Sequence, residues 1–156
     1  EAIVPPDAER MTPLAERLKM SKAEAARLRE WAKVGPIVPE TSEGVLTRLL
    51  YRGERQAIVD RLRLDLAAAR ARAVNETGEL MKAGGYARLL GFAERWEKPA
   101  FPLRGSDLTS LGAAPGPQVG ALLAQLEQDW IESGFVLDRE TLLERASEKI
   151  TGARQG

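Results

Sequence analysis

The chain has no cysteine and no histidine among its 156 residues. Without cysteine there are no disulfides, thiolate metal sites or thiol nucleophiles, a composition that fits a reducing, cytoplasmic setting. Without histidine there is no Ser-His-Asp triad, no imidazole metal ligand and no ordinary proton shuttle near neutral pH. Any catalysis would have to rest on carboxylates, lysines, tyrosines or hydroxyls. Aromatic residues are scarce, at 5%. No apolar run approaches the roughly 18 residues that a membrane-spanning helix needs, so no membrane segment is expected. No secretory signal opens the chain, and it begins with Glu1 rather than methionine, as expected of a fragment or processed piece of something longer.

What is present suffices for a core. Hydrophobic residues make up 44% of the sequence, which argues against disorder, and the length suits one domain or two small helical subdomains. Lysine plus arginine (23) balance aspartate plus glutamate (23), yet the charges are not evenly spread. Residues 1–60 carry ten of each sign. Residues 61–104 carry nine positive and five negative, and residues 105–156 carry four positive and eight negative. The basic middle points towards an anionic partner, and the acidic end makes any phosphate-binding face local.

The pattern is helical nearly throughout. Thr12-Pro13 is expected to open a short helix through Lys19 with Leu14 and Leu18 on one face. Ser21 and Glu24 form a capping box for a second helix to about Lys33, carrying Ala25, Leu28 and Ala32 with Trp31 beside them. Gly35-Pro36 stops it. Thr41 or Ser42 caps a third helix with Val45, Leu46, Leu49 and Leu50. Beyond Gly53, Ile58, Leu62, Leu66 and Ala69 recur at helical spacing until Val74-Asn75. A further helix spans about Gly78–Trp96, with a break expected at Gly84-Gly85. Pro117 to about Ser133 has the cleanest period, through Val119, Leu122, Leu123, Leu126 and Trp130. Asp138 caps a last helix with Leu142, Leu143, Ala146 and Ile150. The fold expected is all-α, an irregular bundle of about six to eight helices without significant sheet. Its two regions are 1–98 and 99–156.

Several clusters could carry chemistry, each with a plain alternative. Arg48, Arg52 and Arg55 are spaced as one helical face, and Arg63 and Arg70 share a face of the next helix, flanked by Arg61 and Arg72. Arginine suits phosphate because its planar fork donates two parallel hydrogen bonds; the alternative is a solvated face paired with Glu54, Asp60 and Asp65. Glu76 with Glu79, and Asp129 with Glu132, stand three apart, but hard cations need more converging oxygens, so exposed helix faces are the better reading. No metal or catalytic residue is assigned. Tyr51, Tyr86 and the tryptophans could stack on bases, though Trp130 and Trp96 end apolar lines and read as core.

The segment FPLRGSDLTSLGAAPGPQVGALL, 101–123, packs two helix starts into a short glycine- and proline-rich corner. Arg104, Gly105, Ser106 and Asp107 open a short helical turn, and Gly116-Pro117 opens the long helix with Gly120 in its second turn. Helix N-termini present free N–H groups and partial positive charge to anions. Two of them beside Arg104 could grip a nucleic-acid backbone; they could equally be two tight corners with Asp107 or Ser106 as a cap and Gly120 easing helix approach.

The spacing Phe-Pro-Leu-Arg-Gly-x-Asp-Leu, then Leu-Gly, then Pro-Gly-Pro-x-Val-Gly-x-Leu-Leu, followed by Trp130 and Phe135, resembles the C-terminal region of bacterial tRNA nucleotidyltransferases, the CCA-adding enzymes, and of the related bacterial poly(A) polymerases. The matching residues are Gly105, Asp107, Leu108, Gly112, Gly116, Pro117, Val119, Gly120 and Leu122. Arg17 to Ser21 with Glu24 and Leu28 resembles an upstream segment of the same family, so the likeness covers about 15–152. The resemblance implies a helical body (1–98) and tail (99–156) that hold the tRNA acceptor arm and elbow. It also implies an absent N-terminal head that transfers nucleotides with Mg²⁺ and CTP or ATP, none of which this piece is expected to hold. The RNA-binding residues it suggests are Arg63, Arg70, Arg104, Gly105, Ser106, Asp107, Gly116 and Gly120. Two other readings stay open: the same region of a poly(A) polymerase, with other RNA as partner, and a helical scaffold that binds protein and no RNA.

Overall fold

The computed structural model describes residues 7–153. Among these residues it is all-α, with eight helices and no strand. The chain divides into two compact units, Glu1–Lys98 and Pro99–Gly156.

In the first unit α1 (Ala8–Arg17) and α2 (Lys22–Lys33) form a hairpin, and α2 also packs on α4 (Arg55–Arg72). The centre is the antiparallel pair α4 and α5 (Thr77–Arg95), against which α3 (Glu43–Arg52) lies. Ile37, Leu46, Leu50, Ile58, Val59, Leu62, Leu89 and Ala93 make the main core, flanked by Tyr86, Leu90, Phe92 and Trp96. The hydrophobic stripes of α3, α4 and α5 thus meet one another, which removes their apolar area from water. Arg55 donates to the Ala93 and Glu94 carbonyls at the C-terminal end of α5, where a cation also complements the helix dipole.

Several boundaries differ from expectation. The first helix begins earlier, because the Asp7 carboxylate accepts the Glu9 N–H at 2.9 Å and caps it; Pro13 lies inside, with its ring exposed. Its buried face is Met11 and Ala15, whereas Leu14 and Leu18 face solvent. The third helix is capped by Ser42. It ends at Arg52, and Gly53 breaks the path, so Arg48, Arg52 and Arg55 do not share one helix. Helix α5 runs unbroken through Gly84-Gly85. The reason is tertiary: a Cβ on Gly85 would stand 2.6 Å from the Cβ and carbonyl oxygen of Pro39, so the glycine lets a distant loop press on the helix.

The second unit holds α6 (Gly105–Ser110), α7 (Pro117–Glu132) and α8 (Arg139–Ala153), each packed on the other two. Leu103, Leu108, Val119, Leu126, Ile131, Leu142, Ala146 and Ile150 are buried. Trp130 is buried between Phe101, with ring centroids 5.4 Å apart, and Phe135, at 4.8 Å and edge-on. Edge-to-face geometry suits the aromatic quadrupoles. Asp138 accepts the Thr141 N–H at 2.8 Å and caps α8.

Three helices end in the same way. In α6, α7 and α1 the second residue past the helix donates to the carbonyl of the helix's next-to-last residue: Gly112 to Thr109, Gly134 to Ile131 and Lys19 to Glu16. The next N–H closes the wider loop: Ala113 to Leu108, Phe135 to Trp130 and Met20 to Ala15. This cap needs a left-handed residue, normally glycine. Gly112 (φ 91°) and Gly134 (φ 78°) meet that need, but in α1 the position is Lys19, at φ 51°.

Candidate nucleic-acid interface

The glycine–proline corner is built from its charges outward. Arg104 is the N-cap of α6, and its backbone N–H donates to Asp107 Oδ2 at 2.7 Å. This is half of a capping box; an arginine side chain has no acceptor to return the bond. The same Asp107 carboxylate takes two hydrogen bonds from Arg139, whose Nη1 also donates to the Pro102 carbonyl at 2.8 Å. Arg139 first, and the Arg104 N–H second, hold the Asp107 carboxyl down at about 2. The start of α6 therefore already carries an anion, supplied by the chain itself. Ser106 serves the same turn through its carbonyl, which accepts from Thr109 and Ser110 hydroxyls. Gly105 would bring a Cβ within 3.5 Å of Val119, an ordinary contact.

The start of α7 is different. Gly116 sits at φ 143°, accessible only to glycine, and turns the chain into Pro117. Gly116, Pro117, Gln118, Gly120 and Ala121 are exposed, and nothing lies within 4 Å of where a Gly120 Cβ would be. The helix approach expected to explain Gly120 is therefore absent among the described residues, and the glycine leaves a smooth uncharged surface behind the helix tip.

On α4 the two candidate arginines diverge. Arg63 pairs with Glu94 at 2.6 Å and lies 3.9 Å from Asp60, so its charge is matched within the fold. Asp60 also takes a two-bonded contact from Arg27, which with burial opposing it leaves its carboxyl below the usual range. Arg70 is exposed and makes no ion pair or side-chain hydrogen bond among the described residues. Arg61 is committed to Asp65 at 3.0 Å and lies over the Trp31 ring, 5.8 Å from its centroid. Arg72 and Lys82 both bond Glu79, a buried carboxylate they hold ionised.

Glu76 does not join Glu79 in a ligand set, and among the described residues no three acidic side chains converge as a metal site would require. No helix among the described residues is long and apolar enough to cross a membrane.

The α1–α2 hairpin holds the Arg17–Ser21 segment that carries part of the family resemblance, although none of its residues is among the RNA contacts expected from sequence. Lys19, Lys22 and Arg29 line one open cleft there with Thr12, Ala15, Glu16, Met20 and Ala25, a space of about 500 Å³. The signal that could have found them is the left-handed lysine, visible only once the end of α1 is known.

No family model matches the chain. It is 38% identical over 65 residues to the mitochondrial CCA tRNA nucleotidyltransferase 1 of Mus musculus and, to the same extent, to that of Homo sapiens. It is 36% identical over 70 residues to the Danio rerio protein of the same name. These matches cover 42% and 45% of this chain, and only 15% and 16% of the relatives. The relatives are animal mitochondrial proteins, where the corner's resemblance pointed to bacterial ones.

Proposed function

We propose that this chain is the RNA-holding helical part of a CCA-adding tRNA nucleotidyltransferase, and that it positions tRNA while a catalytic head elsewhere in a longer protein adds nucleotides. The observation that carries the proposal is the similarity to three CCA tRNA nucleotidyltransferases. The matched segments amount to about one sixth of those relatives, so head, cofactors and reaction belong to the proposal.

The structure supports the holding role in its own terms. RNA helices are recognised mainly through shape, phosphates and 2′-hydroxyls, so unmatched cations and smooth backbone suffice. Arg70 offers the first and the Gly116–Gly120 tip the second, with Arg104 exposed at the corner beside Asp107. Asp107 would act from behind, by fixing the corner on Arg139, with Gly105 and Ser106 shaping the same turn. Arg63 would contribute only by releasing Glu94.

The test is competition. Labelled tRNA bound to the chain should be displaced by unlabelled tRNA and poorly by single-stranded poly(A). Equal displacement by poly(A) favours the polymerase of RNA tails. Incubated with CTP, ATP and Mg²⁺, the chain should leave a tRNA lacking its 3′ end unextended; incorporation would contradict the division of labour.

A further inference from the structure

We infer that the cleft between α1 and α2 is a second phosphate-contacting surface, in which Lys19, Lys22 and Arg29 hold the sugar–phosphate backbone of the RNA. This deepens the proposed tRNA-holding function and rests on it.

The first observation is a residue in the wrong backbone position. The caps of α6 and α7 put glycine at the left-handed site, as sterics favour, whereas the identical cap of α1 puts Lys19 there. Phe135 is the other non-glycine residue at positive φ among the described residues, and its ring meets Trp130 edge-on, so packing accounts for it. Lys19 has no such return. Its side chain is exposed, with no hydrogen bond or ion pair among the described residues. Glycine would meet the same backbone need, and no described residue accounts for a lysine in its place.

The second observation is convergence. Lys22 and Arg29 stand seven residues apart on α2, two turns and about 10 Å along one face. Ala25 between them keeps the floor low. Neither cation has an ionic partner among the described residues, and one carboxylate, Glu16, shares the cleft with three positive charges. Like charges gathered without neutralisation repel one another, and a polyanion removes that repulsion by releasing its own counterions.

The experiment measures binding of a fluorescent tRNA transcript to the full chain by anisotropy, from about 50 to 200 mM salt. Lys19→Gly should melt at or above the wild-type temperature, yet lower the slope of log affinity against log salt by about one. Lys19→Gly with Lys22→Ala should lower it by about two. Unchanged slopes, with wild type still binding tRNA, overturn this inference and leave the proposed function standing. Loss of wild-type binding at all salts overturns both. A lower melting temperature for Lys19→Gly assigns the lysine to stability and also overturns the inference. Equal competition by polyglutamate makes the cleft an acidic-protein site and removes the RNA assignment.

Discussion

The Asp107 carboxylate and the Arg139 guanidinium meet through two parallel hydrogen bonds, 2.8 and 3.0 Å long, which tie the start of α6 to the start of α8. The pair closes the second unit around its corner, and it has a pH signature. The carboxyl titrates near 3.8 when unfolded and at about 2 when folded. Its contribution is therefore complete above 3.8 and is lost as the pH falls from there through about 2. Asp107→Asn should melt below wild type at neutral pH, and the gap between them should close over that acid window. Thermal melts by circular dichroism across pH check this; a gap independent of pH would mean the carboxylate's charge is irrelevant.

Two adjacent glycines in α5 should respond in opposite directions. Gly85→Ala forces a methyl against Pro39, within 2.6 Å of backbone, and should cost about 1–3 kcal/mol. Gly84 is exposed with nothing within 4 Å, so Gly84→Ala should gain about 0.5–1 kcal/mol from helix propensity. Urea unfolding of the two variants measures both; similar effects would show that the Pro39 contact does not form in solution.

Gly120 separates stability from binding. It also has open space around it inside a regular helix, so Gly120→Ala should stabilise by about 0.5–1 kcal/mol. If the bare tip of α7 meets RNA closely, the same variant binds tRNA more weakly. A variant more stable and equally tight would remove Gly120 from the interface.

Arg63 and Arg70 share a face of α4 but not a role. Arg70→Glu should weaken tRNA binding at low salt and reduce its salt dependence. Arg63→Glu should mainly lower the melting temperature, since it sets a carboxylate beside Asp60 and Glu94. Equal losses of affinity at equal stability would contradict that division.

Much of the fold was legible because its signals are local. The Ser21–Glu24 box, the i, i+3, i+4, i+7 line of α7 and the Asp138 cap each lie within a few residues of sequence, and each formed where spacing placed it. What escaped was set at a distance. Helix α5 survives its glycine pair because Pro39 packs there, 46 residues away in sequence. Arg63 is neutralised by Glu94 on another helix. Pro13 looked like a first-turn residue, but Asp7 had already capped the helix. In the candidate interface, Gly116 at the start of α7 followed from the motif, while the open space at Gly120, the Arg139 partner of Asp107 and the unusual backbone of Lys19 depended on folded geometry.

The most direct measurement is a gel shift of the intact chain with whole tRNA at about 50 and 200 mM salt. The account predicts a retarded complex at the lower concentration whose affinity falls steeply at the higher. No complex at low salt, or one whose affinity does not change with salt, contradicts it.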